Sequence, residues 1–148
     1  MRQPPKTRLS VSDAEMTSGS EGNLWHSSDA PLTRENVAPG LHAGSREQAV
    51  MRRPKGILHR IVLDRKSTVT RMRDRGHWET RRMAGAARRA DVALYLNRFE
   101  GVHADDLDAA ILNADASDAE FRRLVPSASY SWIILRPQAI VSIERQDG

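Results

Sequence analysis

The chain contains no cysteine, which excludes disulfides, thiolate nucleophiles, cysteine-ligated zinc and iron–sulfur clusters. Its stability has to come from packing. Aromatic residues are scarce, at 5% of the chain, and all but Trp25 lie after Ile57: Trp78, Tyr95, Phe99, Phe121, Tyr130 and Trp132. Long apolar runs are missing too. The longest is Val92 to Leu96, too short for a signal-peptide core or a membrane span. No Asn-x-Ser/Thr acceptor occurs, and a cytoplasmic protein with no membrane partner is the expectation. Phosphate-binding and dinucleotide glycine loops, G-x-S-x-G and H-E-x-x-H are all absent. Nothing in the sequence supports an enzyme, and no cofactor is expected.

What is present is charge, unevenly placed. Between Met51 and Arg89 thirteen cations stand against three acids, a local charge of +10, whereas Ala90 to Glu120 sets eight acids against Arg98, a charge of −7. The whole-chain value of +4 conceals this. Lys6, Lys55 and Lys66 are the only lysines. Abundant Arg, Ala and Asp suit a bacterial or phage-like origin.

Met1 to Pro54 holds Pro4, Pro5, Pro31, Pro39 and Pro54 with many small polar residues. Such a segment buries too little surface to offset its ordering entropy, so residues 1–54 are expected to be a disordered or extended tail. Ser12 to Glu15 has the form of a capping box with no apolar period behind it, and a short helix from Ser45 to Arg53 is allowed. Residues 55–148 are expected to form a small α+β domain.

Within that domain Ile57 to Leu63 alternates as a strand, and Ser67 to Met72 returns as its hairpin partner. The spacing of Met83, Ala86, Ala87, Ala90, Ala93 and Leu94 predicts one long helix over 78–99. Two short helices follow, one around Leu107 to Ala114 and one opened by Ser117-Asp118-Ala119-Glu120 and closed by Pro126. Ser129 to Leu135 and Ala139 to Ile143 alternate as a second hairpin. The pattern is α+β, with an antiparallel sheet of two hairpins, one long helix and two short ones.

The arginine block is the leading functional signal, because each cation that meets a phosphate releases condensed counterions. Candidate nucleic-acid contacts are Arg52, Arg53, Lys55, Arg71, Arg73, Arg75, Arg81, Arg82, Arg88 and Arg89; on a helix the last four form two tracks along one face. Trp78 alone interleaves with them, so duplex DNA or RNA fits better than base stacking on a single strand. Trp25, isolated among polar neighbours, reads as an anchor for a partner or for the chain's own domain.

Other constellations are weaker. A helix-turn-helix about Gly101 would present Asp105, Asp106 and Asp108 to phosphates of the same sign. The same acids with His103 are the densest set of potential metal ligands, yet acids at a helix start have an ordinary role; no metal is assigned. Tyr130 and Trp132 share a strand face with Ile134 and read as core. The expected function is a non-enzymatic accessory protein that binds nucleic acid. The alternative is a protein-interaction module or homo-oligomer with complementary basic and acidic faces. On the first reading, duplex affinity falls steeply between about 50 and 200 mM salt; affinity indifferent to salt would contradict it.

Overall fold

The computed structural model describes residues 23–100 and 102–146. The capping-box-like Ser12 to Glu15 lies outside the described residues. The fold is α+β, with seven strands in two sheets among the described residues. Strands β1 (Asn23–Ser28), β3 (Ile57–Leu63) and β7 (Ile140–Gln146) make an antiparallel sheet in the order β1-β3-β7. Strands β2 (Leu41–Ala43), β6 (Tyr130–Ile134), β5 (Val92–Leu96) and β4 (Val69–Arg71) make the second in that order, with β4 parallel to β5. Helix α1 (Arg46–Arg52) packs on β1. Helix α2 (Thr80–Ala87) leads into β5, and α3 (Leu107–Leu112) and α4 (Asp118–Leu124) link β5 to β6.

Alternate residues divide the interior. Val92, Leu94 and Leu96 of β5 and Tyr130, Trp132 and Ile134 of β6 face a core completed by Leu24, Ile61, Leu63 and Ile140 of the first sheet and by Ala110, Phe121 and Val125 of the α3–α4 region. The opposite residues, Ala93, Tyr95, Ile133 and Leu135, meet Ala86, Ala87, Met83, Trp78 and Met72. Tyr130 and Trp132 are core residues, as their register with Ile134 suggests. No helix among the described residues is long and apolar enough to cross a membrane.

Three features differ from the sequence reading. Residues 23–54, expected in the tail, build β1, β2 and α1, and Leu24 is fully buried. Their polar composition misleads because a two-layer core takes only a few residues from each element, here Leu24, Val37, Ala43 and Ala49. The long helix over 78–99 stops at Ala87, and Val92–Leu96 is a strand with every residue buried. An apolar run buried on both faces lacks the alternation that separates strand from helix. Strands do occur near 57–63, 69–71, 130–134 and 140–146, but β3 pairs with β1 and β7, β4 with β5, and β6 with β2 and β5. The expected partners β3 and β4, and β6 and β7, are therefore not paired with each other, whereas the consecutive strands β4–β5 and β5–β6 are.

Local signals hold where capping chemistry supplies them. Ser45 Oγ accepts from Gln48 N at 3.1 Å while Gln48 Oε1 accepts from Ser45 N at 2.8 Å, a complete capping box for α1. Ser117 Oγ accepts from Glu120 N at 3.2 Å to start α4. Truncating Leu24 to Ala should cost roughly 2–5 kcal/mol in a denaturant titration. A tail residue would cost nothing measurable, so an unchanged midpoint would refute the placement of β1 in the core.

Candidate functional site: a ring-walled cleft where the two sheets part

Among the described residues the two sheets share one backbone-paired position. Trp25 N donates to Gly44 O at 2.8 Å and Gly44 N donates to Trp25 O at 3.0 Å. Beyond this pair β1 continues along β3 and β2 along β6, and a cleft of ≈ 320 Å³ lies among β1, β2, α1 and the loop before α2. Gly44 leaves room at the joint for the Gln48 side chain. A Cβ there would meet Gln48 Oε1 at 1.9 Å, the atom that caps α1.

Three rings form one wall. His42 lies edge-on to Trp78 and Tyr95, with centroids 5.3 and 5.5 Å away, and Trp78 and Tyr95 are 4.6 Å apart. His42 Nδ1 and Tyr95 Oη share a 2.7 Å hydrogen bond. The Arg82 guanidinium lies 5.1 Å from the Trp78 ring centroid and donates to the Arg73 carbonyl. Trp25 and Phe99 also line the cleft. Gly76, with φ +86°, turns the loop before Trp78, and Asp74 Oδ1 accepts its N–H at 2.9 Å.

Polar groups converge opposite the rings. Arg52, on the last turn of α1, reaches Tyr95 Oη and Asn97 Oδ1, each at 3.4 Å, and its Nε lies 3.4 Å from Glu100. All three contacts are long, and Glu100 is 72% exposed, so Arg52 is loosely engaged. Asn97 is fixed from behind by donating to Ser131 Oγ at 2.6 Å and Ser129 O at 3.1 Å. His26 Nδ1 lies 2.7 Å from the His42 carbonyl oxygen. A carbonyl can only accept, so Nδ1 carries the proton and Nε2 of the neutral ring keeps its lone pair.

Burial holds the cleft histidines neutral. It pushes His42 down to about 4, with Arg52 adding to the effect and Asp74 opposing it. Burial also lowers His26, against its bond to His42, and raises the Tyr95 phenol. At neutral pH the site thus offers an uncharged imidazole acceptor, a protonated phenol and the Arg52 guanidinium, beside the side chains of Asp74 and Glu100.

The structure spreads the arginines expected to contact nucleic acid over several surroundings. Arg52 is in the cleft and Arg53, at its edge, pairs with Asp29. Arg71 approaches Asp118 at 3.9 Å and the Tyr130 ring at 5.6 Å. Arg73 donates to the carbonyls of Ala114 and Ala116 at 2.9 and 2.8 Å. Lys55, Arg75, Arg81 and Arg88 are exposed with no acidic partner among the described residues, and Arg89 reaches only the Gly85 carbonyl, at 3.3 Å. Trp25 stands in β1 with the Arg46 guanidinium 5.9 Å from its ring centroid. Among the described residues no group of three His, Asp or Glu is gathered to hold a metal ion.

His26, His42, Asn97 and Glu100 were not singled out from sequence as parts of a common site. They come from three segments far apart in the chain, and no local spacing marks them. Comparisons with protein-family models, curated proteins and solved structures gave no match.

A pH effect follows from the cleft histidines. Above pH 6.5 His42 is neutral in both folded and unfolded chains. Below it the unfolded chain binds the proton first, so stability falls as pH drops from about 6.5 towards 4, by on the order of 3 kcal/mol at most. Denaturant midpoints measured at pH 7.5 and 5 should differ, and His42→Phe should shrink the difference; an equal difference in that variant would assign the loss elsewhere.

Proposed function

We propose that the cleft binds a nucleotide-class ligand, a planar heteroaromatic base carrying hydroxyls and an anionic group. The observation that carries this reading is the convergence, in one ≈ 320 Å³ cleft, of the His42–Trp78–Tyr95 wall with Arg52 and the neutral His26. Each feature matches part of the ligand. A base face gains about 1–3 kcal/mol from stacking on an aromatic side chain. Arg52 presents the donor fork suited to phosphate oxygens, while His26 Nε2 accepts from a sugar hydroxyl. The volume is within the range of small-molecule sites, which combine apolar walls with a few placed polar groups.

Two groups in the cleft have the wrong sign for the anion: Asp74, which is buried and accepts from the backbone N–H groups of Gly76 and Arg98, and Glu100. The exposed Glu100 carboxylate, held by Arg52 at 3.4 Å, can turn to solvent when a phosphate takes the guanidinium. The exchange replaces a solvent-screened ion pair of small net value with a shielded one.

A second reading keeps a nucleic-acid partner. It is favoured by Arg75, Arg81 and Arg88, exposed before and along α2 without acidic partners among the described residues. Arg71, Arg73 and Arg82, engaged with Asp118, backbone carbonyls and Trp78, are less available to it. The basic surface left for phosphates is thus smaller than the +10 of the sequence block.

Calorimetric titration with nucleoside monophosphates, the free nucleosides and ribose 5-phosphate tests the first reading. Monophosphates should bind best and quench tryptophan fluorescence. Trp78→Ala should weaken every base-containing ligand about tenfold or more, and Arg52→Gln should weaken the phosphorylated ligands while sparing the nucleosides. No binding by any of them, or full binding to the Trp78 variant, would overturn it.

A further inference from the structure

A second hollow, of ≈ 370 Å³, lies beside α1 at the ends of β3 and β7. Its apolar part is Val50, Ile57 and Leu58, and Arg46, Arg53 and Arg145 also line it. Its lining carries three arginines, of which Arg53 pairs with Asp29. A surface of opposite character stands on α3. Leu112 is 83% exposed and Ile111 61%, the two most exposed large hydrophobic side chains among the described residues. Scattered exposed aliphatics are ordinary. Here, however, exposed Asp108 lies one helical turn before Leu112 and exposed Asp115 three residues after it. Neither acid has an ion pair among the described residues.

We propose that the chain associates head to tail with a second copy of itself, the Leu112 side chain of one copy entering the Val50–Ile57–Leu58 hollow of the next. Asp108 and Asp115 then face the arginines around it. Charge complementarity argues for this occupant: knob and hollow carry opposite signs and both have an apolar centre. No residue of α3 lines the hollow, which flanks the β1-β3-β7 sheet. Within one chain α3 is therefore not seated in the hollow. Opposite charge fixes the register of such a contact and speeds encounter. Because the two surfaces differ, the contact is heterologous and does not close after two copies.

That geometry yields a test independent of the ring-walled cleft, since Val50 and Leu112 do not line it. Light scattering after size-exclusion chromatography, over a dilution series at low salt, should show wild-type mass rising with concentration beyond that of a dimer and falling on addition of salt. Val50→Glu spoils the hollow and Leu112→Lys the knob. Both sites are exposed, and circular dichroism confirms that each variant folds. Each variant alone should be a monomer. Mixed in equal amounts, they should form a dimer that grows no further, because each supplies the one surface the other has lost. A monomeric wild type at every concentration, variants that assemble like the wild type, or a mixture that stays monomeric would each overturn the proposal.

Discussion

The candidate site depends on the reciprocal hydrogen-bonded pair between Trp25 and Gly44. At this pair the two sheets meet through backbone hydrogen bonds, while β1 follows β3 and β2 follows β6. The cleft is the space this divergence leaves, and the neighbouring residues line it because the backbone parts there. His26 follows Trp25 and bonds the carbonyl of His42, two residues before Gly44. Gln48, whose side chain caps α1 at Ser45 and also donates to Ser129 Oγ and Tyr130 O, ties the helix that carries Arg52 to the central strand β6. Rigid backbone thus supports the polar side of the site, which suits recognition that needs preset geometry.

Arginine serves as a fastener in this protein as well as a surface charge. Arg98 has no exposed side-chain area; it donates to Asp118 Oδ1 at 2.6 Å and to the Ala114 carbonyl at 3.0 Å, and its guanidinium lies 4.7 Å from the Phe121 ring centroid. With Arg73, which binds the Ala114 and Ala116 carbonyls, it anchors the segment between α3 and α4 to the β4–β5 side of the sheet. Arg136 does the same at the other end, donating to Ala87 O at 2.6 Å and to Asp91 at 3.2 Å. A guanidinium suits this work because it satisfies several acceptors from one planar group. In a chain without cysteine, such cross-links help hold the short elements of the second layer.

Legibility from sequence followed the range of the interaction. The strand at 57–63 and the strand at 130–134 could be read because alternation and β-branched residues act locally. The helix at 118–124 could be read from its capping box, and the one at 46–52 only as an allowed short helix. Val92–Leu96 could not, since its burial on both faces comes from β6, β4 and the helices around it. The same holds for Leu24, whose partners Ile61 and Trp132 lie far along the chain. The ring wall was opaque for a related reason. His42 and Tyr95 sit on β2 and β5 and Trp78 in the loop before α2, and the pairing of β2 and β5 on either side of β6 brings the first two across one sheet.

The sequence by itself determined the α+β class, the lack of thiol chemistry, the opposed charge blocks and the start of the helix at 118–124, because composition and contacts within a few residues decide these. Tertiary structure decided which arginines are engaged, where the first layer begins and which rings meet. Those outcomes depend on strand pairing between segments tens of residues apart, and on burial that no single segment supplies.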